Sequence, residues 1–249
     1  MNEIAERKPQ KLALKIGVEL ITIIIGITGM IDVIAGGGVE PFSLRRLLYF
    51  TMQSNLAIML LTVVFLCLHL RQLVTGRGSI PPSLLLLKYI FVVAIAVTLL
   101  AYWIIIAPNM RPIYVFTYAS FSVHLLVPLL AIAGFYLWDY QVNLSRKRWL
   151  LGLLPMLCYL AFAMIASVSG VKFSAGCHVP YVFLDYKKLT WFSLQNGLGV
   201  FYAIMILLVM CVILTALMSY LVKKRACHGA KHAVSASVQP DPVVQKSES

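Results

Sequence analysis

The sequence Arg45-Arg46-Leu47-Leu48-Tyr49-Phe50-Thr51-Met52-Gln53-Ser54-Asn55 opens an apolar run that continues to about Leu70. A run of this length predicts a helix that crosses a membrane. Its first turns nevertheless carry polar side chains at Thr51, Gln53, Ser54 and Asn55. Because lipid offers these groups no hydrogen bonds, we expect them to face other protein segments or a wet cavity. The sequence therefore predicts a polar site at membrane depth near the start of this helix.

The whole chain has the composition of a polytopic membrane protein. Its 249 residues are 61% hydrophobic and only 12% charged, and the mean hydropathy is +0.88. Six apolar runs are each long enough to cross a hydrocarbon core of about 30 Å. These runs are Leu12–Ala35, Leu47–Leu70, Leu84–Ile106, Tyr114–Leu137, Trp149–Gly170 and Leu198–Val222. We predict an all-α bundle of six transmembrane helices over residues 12–222, an N-terminal tail of residues 1–11 and a basic, disordered tail of residues 223–249.

The distribution of positive charge predicts how the bundle is oriented. The net charge is +12, and 15 of the 21 Lys and Arg residues, including Lys15 and Lys88, fall on the predicted side that holds both termini. The positive-inside rule places that side in the cytoplasm, so Thr51 would lie near the outer end of the second helix. We interpret the charge as topology and as contact with lipid headgroups, not as nucleic-acid binding. The unusual polar residues fall in the outer half, and we expect the inner half to be plainer.

A second polar group is predicted at membrane depth on the fourth helix. His124 lies about ten residues into that apolar run, and Pro128 follows four residues later. Intramembrane ionisable groups are candidate functional residues, although a histidine that only bonds a neighbouring helix is an equal alternative. Pro128 is expected to free the carbonyl oxygen of His124, because proline has no N–H to donate. Our hypothesis is that Thr51 is the nucleophile of a hydrolytic site and that His124 takes its proton.

Three residues near Thr51 are candidates for substrate binding. Asn55 lies one helical turn after Thr51, on the same face, and could hold an oxyanion or a lipid carbonyl. Arg45 and Arg46 lie just outside Thr51 and could bind an anionic headgroup or a carboxylate; the alternative is that they only extend to the membrane surface. Gln53 and Ser54 are expected to make bonds between helices.

Other polar residues suggest less chemistry. Glu19, inside the first run, is expected to interact with Lys15, four residues before it, and a proton-coupling role is the alternative. The five cysteines form no C-x-x-C pair, so neither a zinc site nor a disulfide framework is indicated. We expect no metal and no organic cofactor. The first apolar run is too long for a cleavable signal peptide.

Several short motifs resemble one family of membrane proteins. They are Leu47-Leu48-Tyr49-Phe50-Thr51 at a span entry, His124 followed by a proline, Tyr102-Trp103-Ile104-Ile105-Ile106 with Arg111-Pro112-Ile113-Tyr114, and Tyr181-Val182-Phe183-Leu184-Asp185. Together they resemble the androgen-induced and androgen-dependent TFPI-regulating proteins. The Tyr-Phe-Thr-x-Gln-Ser-Asn form is more similar to a bacterial branch of predicted six-span proteins. Val182 stands where the family usually has proline.

The resemblance implies an activity. Characterised animal members of the family are membrane-embedded threonine hydrolases that cleave fatty acid esters of hydroxy fatty acids, and their motif threonine and histidine match Thr51 and His124. Asp185 could orient His124 if the outer loop folds inward. We expect membrane lipids and a lipid-like ester as partners, and the bacterial cytoplasmic membrane as the location. The alternative is a non-enzymatic protein that binds lipid or transports a small solute.

Overall fold

Six long helices make up the protein. The computed structural model describes residues 2–174, 176–195 and 197–237, with side chains described between residues 10 and 228 of these ranges. The helices are α1 (Asn2–Ala35), α2 (Phe50–Thr75), α3 (Pro82–Asn109), α4 (Tyr118–Trp138), α5 (Arg148–Val168) and α6 (Val200–Ser237). Each is long and apolar enough to cross a membrane. This confirms the predicted all-α fold of six transmembrane helices, and the chain is an integral membrane protein.

The helix ends differ from the predicted boundaries. The first helix begins at Asn2 instead of residue 12, and the last continues to Ser237 beyond the predicted end at residue 222. The fourth helix begins at Tyr118 because the Thr117 hydroxyl accepts the Ser120 N–H at 3.1 Å and caps it. The expectation of disorder for residues 238–249 lies outside the described residues. We call the end of the bundle that holds both termini the terminal end, and the opposite end the far end.

The third helix is the centre of the bundle. It packs against α2, α4, α5 and α6, while α1 packs against α2 and α4. Val92, Val93, Ile95 and Val97 of α3 are fully buried. Two glycines let α1 approach its neighbours closely: a Cβ on Gly29 would lie 2.4 Å from the Ser122 Cβ of α4, and one on Gly26 would lie 2.3 Å from the Met59 Sδ of α2.

Two neighbouring helices each contain a short π-helical segment in the same half of the bundle. Residues Ala101–Ile106 of α3 and Ser122–Leu126 of α4 are π-helical. Short π-helical turns inside α-helices are rare and occur frequently at functional sites. The segment in α4 ends just before Pro128, which cannot donate to the helical hydrogen-bond ladder. Both segments lie in the far half of the bundle.

The long connection between α5 and α6 folds over the far end. It includes two single-turn helices, Val182–Leu184 and Tyr186–Leu189. Phe173 and Leu184 of this connection are each 1% exposed, so it packs as part of the core. Tyr49, just before α2, makes edge-to-face ring contacts with Phe173 and Tyr181, with centroid separations of 6.3 and 5.8 Å. The connection thereby carries Tyr181 to the N-terminus of α2.

Candidate functional site

Two tyrosine hydroxyls cap the N-terminus of α2. The first N–H groups of any helix have no partner within the helix, and Tyr49 at the N-cap supplies none from its side chain. The main-chain N–H of Phe50 donates to the hydroxyl of Tyr159 from α5. The main-chain N–H of Thr51 donates to the hydroxyl of Tyr181 from the α5–α6 connection. Unpaired N–H groups at this helix terminus would be costly in lipid, and side chains from α5 and the α5–α6 connection provide their acceptors.

The side chain of Thr51 belongs to a chain of hydroxyls. Its hydroxyl hydrogen-bonds to that of Tyr181, which is also hydrogen-bonded to Tyr159. The Tyr159 hydroxyl donates to the Leu48 carbonyl at 3.2 Å. Burial raises the pKa of Tyr181 to about 12, although the hydrogen bonds from Thr51 lower it. Tyr181 is thus neutral near pH 7 and holds the Thr51 hydroxyl in the resting structure.

Thr51 lies on the wall of a largely apolar cavity. The cavity measures about 30 Å³ and is open to the outside, and residues of α2, α3, α5, α6 and the α5–α6 connection line it. Its hydroxyl-bearing side chains are Thr51, Thr98, Tyr102, Tyr159 and Tyr181. A mostly apolar lining with a few hydroxyls suits a lipid-like group. A space of this size holds one water and must widen to admit an acyl chain.

His124 lies beside this cavity. Its ring stacks on that of Tyr102 with centroids 3.5 Å apart and planes 7° apart, so the two π-helical segments meet through these side chains. The carbonyl oxygen of His124 accepts the indole N–H of Trp103 at 3.1 Å, in agreement with the expectation that Pro128 leaves it free. The Nδ1 atom of His124 is buried and has no hydrogen-bond partner among the described residues.

Asn55 joins the two segments that carry the predicted catalytic pair. It is fully buried, and its Nδ2 donates to the carbonyl of Thr51 at 2.8 Å and to that of Val123 at 3.0 Å. The turns of Thr51 and His124 therefore lie side by side. Among the described residues no hydrogen bond joins the Thr51 hydroxyl to His124. Both amide hydrogens of Asn55 are engaged, and its unpartnered atom is the acceptor Oδ1.

The neighbouring polar residues of α2 have structural partners. The Ser54 hydroxyl lies 2.8 Å from the Thr98 hydroxyl of α3, which confirms the expected bond between helices. Gln53 instead reaches the Leu48 carbonyl of its own segment at 3.5 Å. The start of α2 is held in place by bonds in several directions, so Thr51 has a fixed position.

The two arginines near Thr51 differ in availability. Arg46 donates to the carbonyls of Val33 and Ile34 at 2.8 and 3.1 Å, and its Nη2 lies 2.6 Å from a Glu40 carboxylate oxygen. It holds the end of α1 against the start of α2. Arg45 is exposed. Of the two predicted headgroup ligands, Arg45 is therefore the one whose guanidinium, at the far surface, has no ion-pair or hydrogen-bond partner among the described residues.

Asp185 does not contact His124 in the described part of the chain. Its Oδ1 accepts the N–H groups of Lys187 and Lys188 at 3.2 Å and caps the short helix Tyr186–Leu189. The same oxygen lies 3.5 Å from the Nε2 of His178. The α5–α6 connection does fold inward, but it brings tyrosines and not Asp185 to Thr51.

The terminal half of the bundle is not plainer, contrary to the expectation from sequence. Lys15 and Lys88 are buried and both bind Asp139, at 2.5 and 2.7 Å. Glu19 contacts His69 at 3.0 Å instead of Lys15. From the sequence, Lys15 and Lys88 are predicted to be surface charges, but both side chains are buried between the helices. An opposite charge there compensates for the hydration that each ammonium loses.

The sequence did not mark Tyr102, Tyr159 or Tyr181 as site residues. Tyr102 and Tyr181 fall within the motifs that resemble the hydrolase family, but without an assigned role. One signal could have pointed to them: α2 begins at Tyr49–Phe50 without a capping side chain of its own. Its first N–H groups therefore need acceptors from other parts of the chain. Within the described ranges, no group of three or more His, Cys, Asp or Glu side chains could hold a metal ion.

In comparisons with known proteins, no family model, no curated protein and no solved structure matches this chain. The resemblance of its short motifs to the six-span threonine hydrolases therefore stays a prediction.

Proposed function

We propose that this protein is an intramembrane hydrolase of lipid esters, with Thr51 as nucleophile and His124 as base. One juxtaposition supports the proposal: Asn55 holds the turn of Thr51 against the turn of His124, beside a largely apolar cavity. An acyl chain in the cavity would leave its ester carbonyl at the Thr51 hydroxyl. The family resemblance of the two residues points to the same chemistry.

The proposed reaction has two halves. His124 takes the proton as the Thr51 oxygen attacks the ester carbonyl carbon, and a tetrahedral oxyanion forms. The bond to the alcohol oxygen then breaks, and His124 returns the proton to the departing alcohol. In the second half, water loses a proton to His124 and attacks the acyl-threonine. The acyl–oxygen bond to Thr51 breaks, the threonine oxygen regains the proton, and the fatty acid leaves.

Tyr181 has a defined place in this proposal. In the resting protein its hydroxyl bonds that of Thr51, and no base bonds Thr51 in the described part of the chain. Catalytic hydrogen bonds are often long or unmade without substrate and tighten only in the complex. We propose that an entering ester displaces Tyr181, which frees Thr51 to meet His124. The displaced Tyr181 hydroxyl and the N–H of Thr51 are then the donors nearest to the oxyanion.

The second candidate is a non-enzymatic protein that binds a lipid or carries a small solute. One observation favours it: the Thr51 hydroxyl is bonded to Tyr181 and not to His124. In that case the cavity holds an acyl chain and the hydroxyls only anchor its polar end.

Labelling with a fluorophosphonate separates the two candidates. We expect the purified protein in detergent to be labelled, Thr51→Ser to keep labelling, and Thr51→Ala and His124→Ala to lose it. Thr75→Ala, which removes an exposed hydroxyl at the other end of α2, is the matched control. Equal labelling of the wild type and Thr51→Ala would remove Thr51 as the nucleophile. Binding of a fatty-acid ester without labelling or hydrolysis would favour the second candidate.

We also propose that the terminal end faces the cytoplasm of a bacterial cell. The excess of Lys and Arg on that side supports this orientation. Two exposed cysteines provide the test: Cys177 in the α5–α6 connection and Cys227 near the end of α6. A maleimide that cannot cross membranes, added to intact cells, should label Cys177 and spare Cys227. The reverse pattern would invert the topology.

A further inference from the structure

A buried cluster of ionisable side chains lies in the terminal half, away from Thr51. It comprises Lys15 and Glu19 of α1, His69 of α2, Lys88 of α3 and Asp139 at the end of α4. None is more than 8% exposed. Charged groups at membrane depth are costly, and they usually pair with one another and mark pathways for ions or protons.

Asp139 is the centre of one part of the cluster. Lys15 and Lys88 donate to its two carboxylate oxygens, at 2.5 and 2.7 Å. The ammonium of Lys88 also lies 4.0 Å from the centre of the Phe65 ring. Asp139 therefore balances one of two positive charges, and the second must be balanced elsewhere.

Glu19 and His69 form the other part. The Nδ1 of His69 lies 3.0 Å from both carboxylate oxygens of Glu19 and is hydrogen-bonded to Oε2. The Oε1 of Glu19 and the Nε2 of His69 are buried without a hydrogen-bond partner in the described part of the chain. If His69 is neutral and donates from Nδ1, both of these atoms carry free lone pairs.

A cavity connects the two parts. It measures about 20 Å³, room for one water, and Lys15, Glu19, Lys88 and Asp139 line it together with Thr22 and Thr62. The two threonine hydroxyls donate to main-chain carbonyls of their own helices at 2.7 Å, so toward the cavity they offer only acceptors. Glu19 faces the cavity, and His69 lies behind it.

The charges decide which ligand fits. Two lysines, Asp139 and an ionised Glu19 sum to zero when His69 is neutral, so the cluster is balanced without a ligand. A metal ion would find too few ligands, since no group of three acidic, His or Cys side chains occurs in the described ranges. A single proton needs only one lone pair, and both free lone pairs belong to titratable groups.

We propose that Glu19 and His69 form a proton-binding site that is loaded through this cavity. A hydronium ion in the cavity gives its proton to Oε1 of Glu19 and leaves as water. The proton rests on Oε1 of Glu19 or on Nε2 of His69, the Nδ1–H of His69 stays hydrogen-bonded to Oε2 of Glu19 at 3.0 Å, and the cluster gains one positive charge. The site is separate from the proposed hydrolase site and does not depend on it.

Spectroscopy on the full chain in lipid nanodiscs tests the site directly. Between about pH 9 and pH 4, we expect the infrared band of a protonated buried carboxyl to rise, or the ¹⁵N signals of His69 to change to those of an imidazolium. Glu19→Gln should remove the carboxyl band, and His69→Gln the imidazole signals. No titration of either group over this range would overturn the proposal and leave a purely structural ion-pair network.

Charge variants add a readout that packing alone cannot produce. Lys88→Gln makes the empty cluster negative and should raise the pH midpoint of proton uptake, by about one pH unit or more. Asp139→Asn makes it positive and should lower the midpoint by a similar amount. Lys147→Gln, an exposed lysine at the same end, is the control and should leave it unchanged. If Asp139→Asn does not fold, Lys15→Gln should repeat the upward shift. A shift of Lys88→Gln and Asp139→Asn in the same direction, a downward shift with Lys15→Gln, or no shift in any of these variants would contradict the proposal.

Discussion

The two halves of this bundle satisfy their buried polar groups by different means. In the far half, hydroxyls and an amide bond mainly to main-chain groups and to one another, as at Thr51 and Asn55, and the His124 imidazole stacks on Tyr102. In the terminal half, formal charges pair with formal charges across α1, α3 and α4, as at Lys15, Lys88 and Asp139. In the first arrangement, a neutral group can exchange one hydrogen-bond partner for another at small cost. The second cannot lose a partner without leaving an uncompensated charge in the membrane.

Removing the shared carboxylate should give the largest loss of stability. Asp139→Asn leaves Lys15 and Lys88 buried with no carboxylate between them, and we expect it to lower the free energy of unfolding by about 3–5 kcal/mol. Glu40→Gln breaks the partly exposed pair with Arg46 and should cost less than about 1 kcal/mol. Unfolding in mixed micelles with rising denaturing detergent would measure both. Equal costs would remove the distinction between the two halves.

A methyl group at Gly29 should separate α1 from the far site. Gly29→Ala places a Cβ 2.4 Å from the Ser122 Cβ, next to the turn that carries His124. We expect a loss of about 1–3 kcal/mol from this overpacking. Gly17 lies on the same helix, and a methyl group there would meet nothing within 4 Å, so Gly17→Ala is the control and should be neutral or slightly stabilising. A fall in stability with Gly17→Ala alone would contradict the close approach at Gly29.

High pH should weaken the far half through Tyr181. Because burial raises its pKa from 10.0 to about 12, the folded protein keeps the Tyr181 proton that the unfolded chain loses. Its stabilising contribution is therefore complete below about pH 10 and is lost as the pH rises through about 12, by roughly 1–2 kcal/mol for this partly buried group. Tyr181→Phe should lack this alkaline loss. Parallel pH curves for the wild type and Tyr181→Phe would argue against the burial of the Tyr181 hydroxyl beside Thr51.

The smallest effect is expected at the carbonyl of His124. Trp103→Phe removes its indole donor and should cost about 0.6–1 kcal/mol, as is usual for single polar contacts between membrane helices. Trp191→Phe, in the exposed part of the α5–α6 connection, is the matched control. Detergent-induced unfolding would measure the two. A loss above that of Gly29→Ala would mean that Trp103 does more than bond this carbonyl.

The sequence predicts the fold because each helix carries its own signal. An apolar run of membrane length is a local property, and all six runs became helices. The same holds for Thr51, whose polar neighbours stand next to it in the chain. Pro128 also acts locally, which is why the free carbonyl of His124 could be expected.

The remaining polar contacts depend on residues that are far apart in the chain. Lys15 and Asp139 are separated by 124 positions, and Glu19 and His69 by 50. Nothing in the local pattern of Lys15 or Lys88 distinguishes a buried ion pair from a surface lysine near a helix end. Tyr181 likewise reaches Thr51 only because the α5–α6 connection folds inward. These partners become visible only when the helices are packed.

The two π-helical segments have a consequence for how such a site can arise or be lost. A residue inserted into an α-helix rotates everything beyond it by about 100°, which would turn an apolar face away from its neighbours. A wide turn absorbs the extra residue locally, so the flanking faces of α3 and α4 keep their directions. Deleting one residue from Ser122–Leu126 would therefore leave a normal membrane helix without the stacked His124. The gain or loss of one residue in this segment would therefore add or remove the His124–Tyr102 stack while the six-helix fold stays the same.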